Sequence, residues 1–470
     1  MHVALFLIAL IAADADVGVV AFANSGAPAA QADFLHGLAL LHNFEYPEAA
    51  ESFKKAQKID PDFAMAYWGE AMTYTHPIWM QQDLDAARAA LKRLSLVPRP
   101  KTDRERAYLR TVEVLYGEGT KKERDFKYAD AMAALHERYP EDVDTTAFYA
   151  LSLLGTAHEG RDFATYMRAA ALLEEVFPTH QHHPGVLHYL IHSYDDVIHA
   201  PLGLRAARLY GSVAPKAPHA LHMTSHIFIA MGMWDEVIDA NRRAIAAQKI
   251  VSPCGHYSQW LEYAYLQEKR VAEAKKMLDE CQASAVGGAA AADPFSEMRV
   301  LYITSGGGNV DPITIPDAPA WAKFTIAYGD ALTAAQRRDA DALNEAAARL
   351  RALQKEQDDK KPGDRERVAI VLHQVEALQL SVQGKKDEAI ALLQKAAAEE
   401  RAMPFEFGPP SIEKPTFELL ADELLAAGRA ADAEKAYRTA LERTPGRTPA
   451  VEGLQRAQKL SDVRRGASSR

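Results

Sequence analysis

Two histidine pairs, His188 with His192 in "HYLIH" and His222 with His226 in "HMTSH", carry the clearest chemical signal in the chain. Residues four apart on a helix leave the same face, so each pair can present two imidazoles to one ion. The second pair repeats the first at an offset of 34 residues, member for member. Three more histidines gather around them. His183 ends the run "HQHH", His219 stands three residues before His222, and His158 in "LGTAHEGRD" lies 34 residues before His192. Asp195 lies one turn beyond His192 and is placed to orient a ring from outside the coordination sphere. Imidazole ligands suit zinc, copper or iron, so this donor set predicts a transition metal without naming it. The glutamate that a HExxH protease needs is replaced by Tyr189 and Met223, which excludes that chemistry. Ser193 and Ser225 adjoin His192 and His226 in sequence. Helix neighbours do not face each other, and no GxSxG elbow exists, so a serine nucleophile is not supported. "SGGGN" at 305–309 lacks the lysine of a phosphate loop.

A 34-residue offset asks for a repeated element. Near the N-terminus Gly37, Ala49, Phe53, Ala56 and Pro61 keep fixed offsets, and Ala433, Tyr437, Ala440 and Pro445 keep them again near the C-terminus. "GKKDEAIALLQKAAAEE" and "GMWDEVIDANRRAIAA" are further, weaker copies. Small residues let two helices of a hairpin approach, an aromatic fills the gap between units, and proline ends the second helix. The sequence therefore resembles tetratricopeptide-repeat proteins. The resemblance implies an all-α, right-handed superhelical solenoid of helix-turn-helix repeats. Units 184–217 and 218–251 both open with proline. His188 and His222 are then fifth residues, and His192 and His226 ninth residues, of first helices. The resemblance implies that such positions face the ligand in a concave groove.

Composition agrees with a large folded array: 470 residues, 48% hydrophobic, 25% charged. The net charge of -10 argues against a nucleic-acid partner held through phosphates. Residues 3–13, "VALFLIALIAA", are too short to span a bilayer, and no later stretch is long and apolar enough. With Ala21 and Ala23 behind them they predict a signal peptide over 1–23 and export to the periplasm or beyond; without a basic n-region, a cytoplasmic chain is the alternative. The two cysteines, Cys254 and Cys281, flank one expected helical hairpin, where a disulfide would suit an exported protein. The expected organisation is an N-terminal arm over 24–282, an irregular connection over 283–320, a C-terminal arm over 321–460 and a disordered tail over 461–470.

The run from "AYWGEAMTYTHPIW" through "HHPGVLHYLIHSYDD" and "APHALHMTSHIF" is similar to a group of bacterial tetratricopeptide proteins whose activity is not established. That likeness supplies no reaction. Three readings follow: a binding protein whose histidine cluster holds a metal, or a small ligand through it; a scaffold for an extended protein or peptide partner, without metal; and a metal-dependent hydrolase or oxidase.

Overall fold

The computed structural model describes residues 15–468 apart from 101, 316 and 356–361. Among the described residues there are twenty-two α-helices and one pair of two-residue strands, so the all-α expectation holds. No described helix is long and apolar enough to cross a membrane. The chain forms two compact units. The first runs to Asp195 and takes up Pro201–Ile227; the second comprises Asp196–Ala200 and the residues from Phe228 on. Each is a stack of antiparallel helical hairpins of the tetratricopeptide type.

The repeat residues do what their sizes allow. In the first unit, helices Gln31–His42 and Tyr46–Ile59 form a hairpin, followed by helix Ala64–Met72. Ala49, Phe53 and Ala56 are fully buried between them. A Cβ at Gly37 would lie 3.1 Å from the Phe53 ring and one at Gly69 only 2.3 Å away, so glycine on both sides makes room for the aromatic. Helix Tyr46–Ile59 stops before Pro61, as a proline demands. The second unit repeats the device: a Cβ at Gly453 would stand 2.3 Å from the Tyr437 ring.

Later helices of the first unit start on conventional caps. Asp83, Thr102, Thr120, Asp142 and Asp162 each accept from a first-turn N–H. Between helices Ala64–Met72 and Leu84–Leu94 the chain departs from the repeat into a small hairpin, Thr75–His76 against Gln81–Gln82, with Pro77–Trp79 at its tip.

The apolar part of the expected leader, 3–13, lies outside the described residues. The residues just after it are part of the core. Val17, Val20 and Phe22 are buried. The Phe22 ring packs on Phe34, Trp68 and Tyr108 at 5.2–5.9 Å, with the Arg104 guanidinium 4.1 Å above it. Asn43 donates to the Val17 carbonyl at 2.7 Å, and Arg104 to that of Ala23 at 2.7 Å. A cut after Ala23 would remove Val17, Val20, Phe22 and the two carbonyls, and would leave Phe34, Trp68, Tyr108, Asn43 and Arg104 without these partners.

In the second unit the stretch 283–320 holds a helix and then a loop: Ala292–Thr304 forms the helix, with Phe295, Met298, Val300 and Leu301 buried. Its apolar residues are not periodic because it is covered on several sides, by helices His256–Gln267, Val271–Gly287 and Ala320–Arg337. The last helix, Thr448–Ser468, carries on into the expected tail. The proline-rich stretch 401–417 is a packed inter-repeat loop; Arg443 donates to the carbonyls of Glu400, Arg401 and Met403 at 2.8–3.0 Å and fixes its start.

Cys254 and Cys281 form a disulfide across the hairpin His256–Gln267/Val271–Gly287, with Cα atoms 4.8 Å apart. Closing a loop of this length restricts the unfolded chain, and Cys254→Ser with Cys281→Ser is expected to cost about 3–4 kcal/mol. Chemical denaturation of the oxidised protein against the double variant checks this; equal midpoints would contradict it.

Glu262, in the same hairpin, is fully buried, and neither carboxylate oxygen has a hydrogen-bond partner. Burial therefore pushes its pKa well above the usual carboxylate range. The folded protein keeps this proton where the unfolded chain releases it, so stability falls as pH rises above the unfolded value, until the raised folded value is reached. Across that window the slope from this group is about 1.4 kcal/mol per pH unit. Glu262→Gln is expected to remove that slope and to unfold at higher denaturant than wild type at neutral pH, a difference that closes toward pH 4. Denaturation curves of both proteins across this range provide the measurement.

Candidate metal centre

The 34-residue frame places the histidines on first helices, as expected. His188 and His192 lie on helix Pro184–Tyr194, and His219, His222 and His226 on helix Pro218–Ala230. These residues all belong to the first unit. Their rings close a circuit. Centroid separations are 4.9 Å for His188–His192, 5.7 Å for His192–His226, 5.1 Å for His226–His222, 6.3 Å for His222–His219 and 5.1 Å for His219–His188. One nitrogen from each of His188, His192 and His219 lies within 4.8 Å of the other two. The Nε2 atoms of His222 and His226 are 3.2 Å apart.

The rings are not displayed to an open groove. His188 and His222 are 0% exposed, His192 and His226 are 2%, and only His219 is half-buried. Phe44 fills the space that a groove would occupy. It adopts a left-handed backbone (φ 59°) and sets its ring 4.2 Å from His188, 5.7 Å from His192 and 5.6 Å from His219. Trp79, at the hairpin tip, lies 5.7 Å from Phe44 and 5.9 Å from His219.

The partners of each Nδ1 decide what each Nε2 can do. The His188 Nδ1 donates to the His42 carbonyl at 2.6 Å, so its lone pair is on Nε2, which is buried and has no hydrogen-bond partner. Asp195 Oδ2 accepts from His192 Nδ1 at 3.3 Å and from His226 Nδ1 at 3.1 Å. Both of those rings therefore also carry the lone pair on Nε2. Arg161, one repeat before Asp195, makes a short ion pair with it and donates to the His192 and Ser193 carbonyls, tying the carboxylate to the helix end. Ser225 gives its proton to the His222 carbonyl at 2.6 Å, leaving its oxygen as an acceptor 3.5 Å from His222 Nδ1. Burial pushes the His188 and His192 pKa values well below the usual imidazole range, which keeps both rings neutral.

Two expected ligands lie elsewhere. His183 is the N-cap of helix Pro184–Tyr194: its Nδ1 accepts from the Val186 N–H at 3.3 Å. Its proton is thus on Nε2, which donates to Asp144 at 3.3 Å. Its lone pair serves the helix, and the ring stands with His42 and Asp144, not with the five histidines above. His158 is half-buried in the turn after helix Val143–Leu154, and its Nε2 is 2.8 Å from Asp125. His183 instead shares Asp144 with His42, whose Nε2 is 2.9 Å from the same oxygen and whose Nδ1 accepts from the Tyr189 hydroxyl at 3.0 Å. Burial lowers the His42 pKa to about 4, so that ring is neutral. Burial opposes the charge on Asp144, but hydrogen bonds from His183 and His42 outweigh it and hold the carboxyl below its usual range. In this second group each ring nitrogen is in use, and Asp144 Oδ2 is buried without a hydrogen-bond partner.

Sequence reading missed Phe44, Arg161 and the His42 carbonyl. Arg161 had a signal, since it precedes Asp195 by the 34-residue period itself. The other two are contacts across more than 140 residues and leave no local trace.

Fold and site together define an all-α, tetratricopeptide-type repeat protein with a buried histidine ring. No family model and no curated protein matches the sequence. Among solved structures the chain is similar to the APC/C hetero-tetramer Cut9-Hcn1, at 14% identity over 93% of this chain and 78% of that one, with a TM-score of 0.37. It is likewise similar to yeast Tom70, at 14% identity over 93% and 89% with a TM-score of 0.36, and to the P58(IPK) TPR domain, at 14% over 92% and 98% with a TM-score of 0.24.

Proposed function

We propose that this protein binds a transition-metal ion inside the ring of His188, His192, His219, His222 and His226. The observation that carries the proposal is the orientation of the imidazoles: Nδ1 of His188, His192 and His226 is held by an oxygen acceptor, and their lone pairs are on Nε2. Metal-ligating histidines are normally held this way, by a carboxylate or carbonyl on the far nitrogen. The spacing fits as well. With metal–nitrogen bonds of about 2.0–2.1 Å, the edge of a tetrahedral site is about 3.3 Å, against 3.2 Å for the His222–His226 nitrogens. Ring centroids stand about 1.1 Å behind their nitrogens, so tetrahedral ligands have centroids about 5.2 Å apart. Four of the five ring separations lie between 4.9 and 5.7 Å. Asp195 orients two of the rings without ligating, and zinc, copper and iron all suit the donor set.

His222 would serve as the adjustable member. Without an ion its proton can sit on Nε2 and bond His226; with one, the proton moves to Nδ1, facing Ser225. Untagged protein should contain metal in simple ratio to polypeptide, and a chelator should remove it and lower Tm. A chain that copurifies with no metal, takes none up and is indifferent to chelator would sink the reading.

A protein or peptide partner remains compatible with the repeat fold and would use a surface other than this buried ring. A hydrolase or oxidase would need the ion to keep a coordination position open toward His219, the half-buried member. Export belongs to the proposal too, with the cut before Asp16 instead of after Ala23. The sequence Ala13-Asp14-Ala15 offers small residues for such a cut, and it spares the buried Val17, Val20 and Phe22.

A further inference from the structure

The first unit carries a surface feature unconnected with the histidines. Between residues 88 and 110 the chain has eight Lys and Arg but two Asp and Glu, although its net charge is -10; Arg93, Arg104 and Arg106 are paired with Glu70, Asp142 and Asp103. This stretch covers helix Leu84–Leu94, the turn after it and the start of helix Asp103–Leu115. Together they enclose a cleft of about 400 Å³, within the range of about 300–1,000 Å³ usual for binding pockets. Its apolar wall is formed by Leu91, Leu94 and Val97, and Arg99, Arg106 and Arg110 line it too; Glu113 is the single carboxylate among its lining residues. Arg106 donates to the Pro100 carbonyl at 2.6 Å and pairs with Asp103, which braces the turn. Arg99 and Arg110 are exposed, and Leu96, between two lining residues, is 85% exposed.

We propose that this cleft docks an acidic peptide segment in which a leucine or phenylalanine is flanked by aspartate or glutamate. The aliphatic wall would take the apolar side chain, and the guanidinium forks would take the carboxylates, a pairing that arginine favours over lysine because it can be bidentate. Apolar contact and charge complementarity point to the same ligand. A nucleic-acid backbone would make no use of the leucines.

The test uses the full chain and fluorescence anisotropy. A labelled synthetic peptide with Glu on either side of Leu and Phe is compared with its Gln counterpart and with a Lys counterpart. The Glu peptide is expected to bind and the Lys peptide not to. The double variant Arg99→Glu, Arg110→Glu is expected to weaken binding at least about tenfold, as is the Gln peptide, and raised salt should weaken the native pair. Both arginines are exposed, so the variant should keep the wild-type melting curve; Arg99→Gln with Arg110→Gln, giving a smaller loss, serves if it does not. Equal binding of the Gln peptide, or binding untouched by both variants, would overturn the proposal. So would binding only to phosphatidylserine-containing vesicles through the same arginines.

Discussion

Asp195→Asn is expected to weaken metal binding by about 10–100-fold while leaving the fold in place. The argument rests on protons. Asp195 accepts from both His192 and His226, and only a carboxylate can accept twice on one oxygen while also pairing with Arg161. Both rings share Oδ2, and Arg161 takes Oδ1. An asparagine whose oxygen stays on Arg161 turns its N–H₂ toward both rings, and each is then forced to offer the ion a proton instead of a lone pair. One whose oxygen stays on the rings turns the N–H₂ toward Arg161, and the anchor that holds the side chain is lost. His192→Ala should go further and abolish stoichiometric binding, whereas His183→Ala and His158→Ala should leave it intact. His183→Ala should instead destabilise the protein, by about 1–2 kcal/mol for the cap and more for the Asp144 bond it leaves unmade. Calorimetric titration with zinc, alongside melting curves, separates the two classes. Loss of metal in His183→Ala with full retention in His192→Ala would reverse the assignment.

A chain that begins at Asn24 is expected to fold poorly or not at all, while one that begins at Asp16 should melt like the longer protein. Truncating a buried phenylalanine to alanine costs about 3–5 kcal/mol. Deleting residues through Ala23 removes Phe22 outright, with Val17 and Val20, and opens the faces of Phe34, Trp68 and Tyr108. It also removes the carbonyls that Asn43 and Arg104 use, and the Lys216 partner Asp16. A loss of several kcal/mol is comparable with the whole stability of many domains. Intact mass of exported material gives an independent check: it should place the mature terminus upstream of Val17, and a terminus at Asn24 would contradict the packing.

These two outcomes mark the boundary of what the residues disclose. The repeat was legible because Gly, Ala, aromatic and Pro at a fixed period have one physical use, and the period alone put five histidines on two first helices. Asp195 was legible for the same reason, lying one turn past His192. What the period could not show was burial. Positions five and nine are expected to face a groove, but here Phe44, from a turn more than 140 residues earlier, lies against His188, and His188, His192, His222 and His226 are buried. Nor could spacing reveal that His183 spends its lone pair on Val186, since a capping histidine and a ligating one look alike in sequence. Ala21-Phe22-Ala23 reads as a cleavage site by residue size; only the partners of Phe22 show that its ring belongs to the core.

The close approach of Gly37 and Gly69 to Phe53 has a bearing on rearrangement of the array. The Phe53 ring occupies the volume where the next helix would otherwise carry a side chain, and Tyr437 does the same to Gly453. Each aromatic is thus keyed to a glycine supplied by its successor. Repeats of this chain are not interchangeable modules: a chimera that moves the 31–59 hairpin ahead of a helix lacking that glycine would meet a clash of about an ångström, whatever the match of its surface. Recombination within such an array is permitted only where ring and glycine travel together.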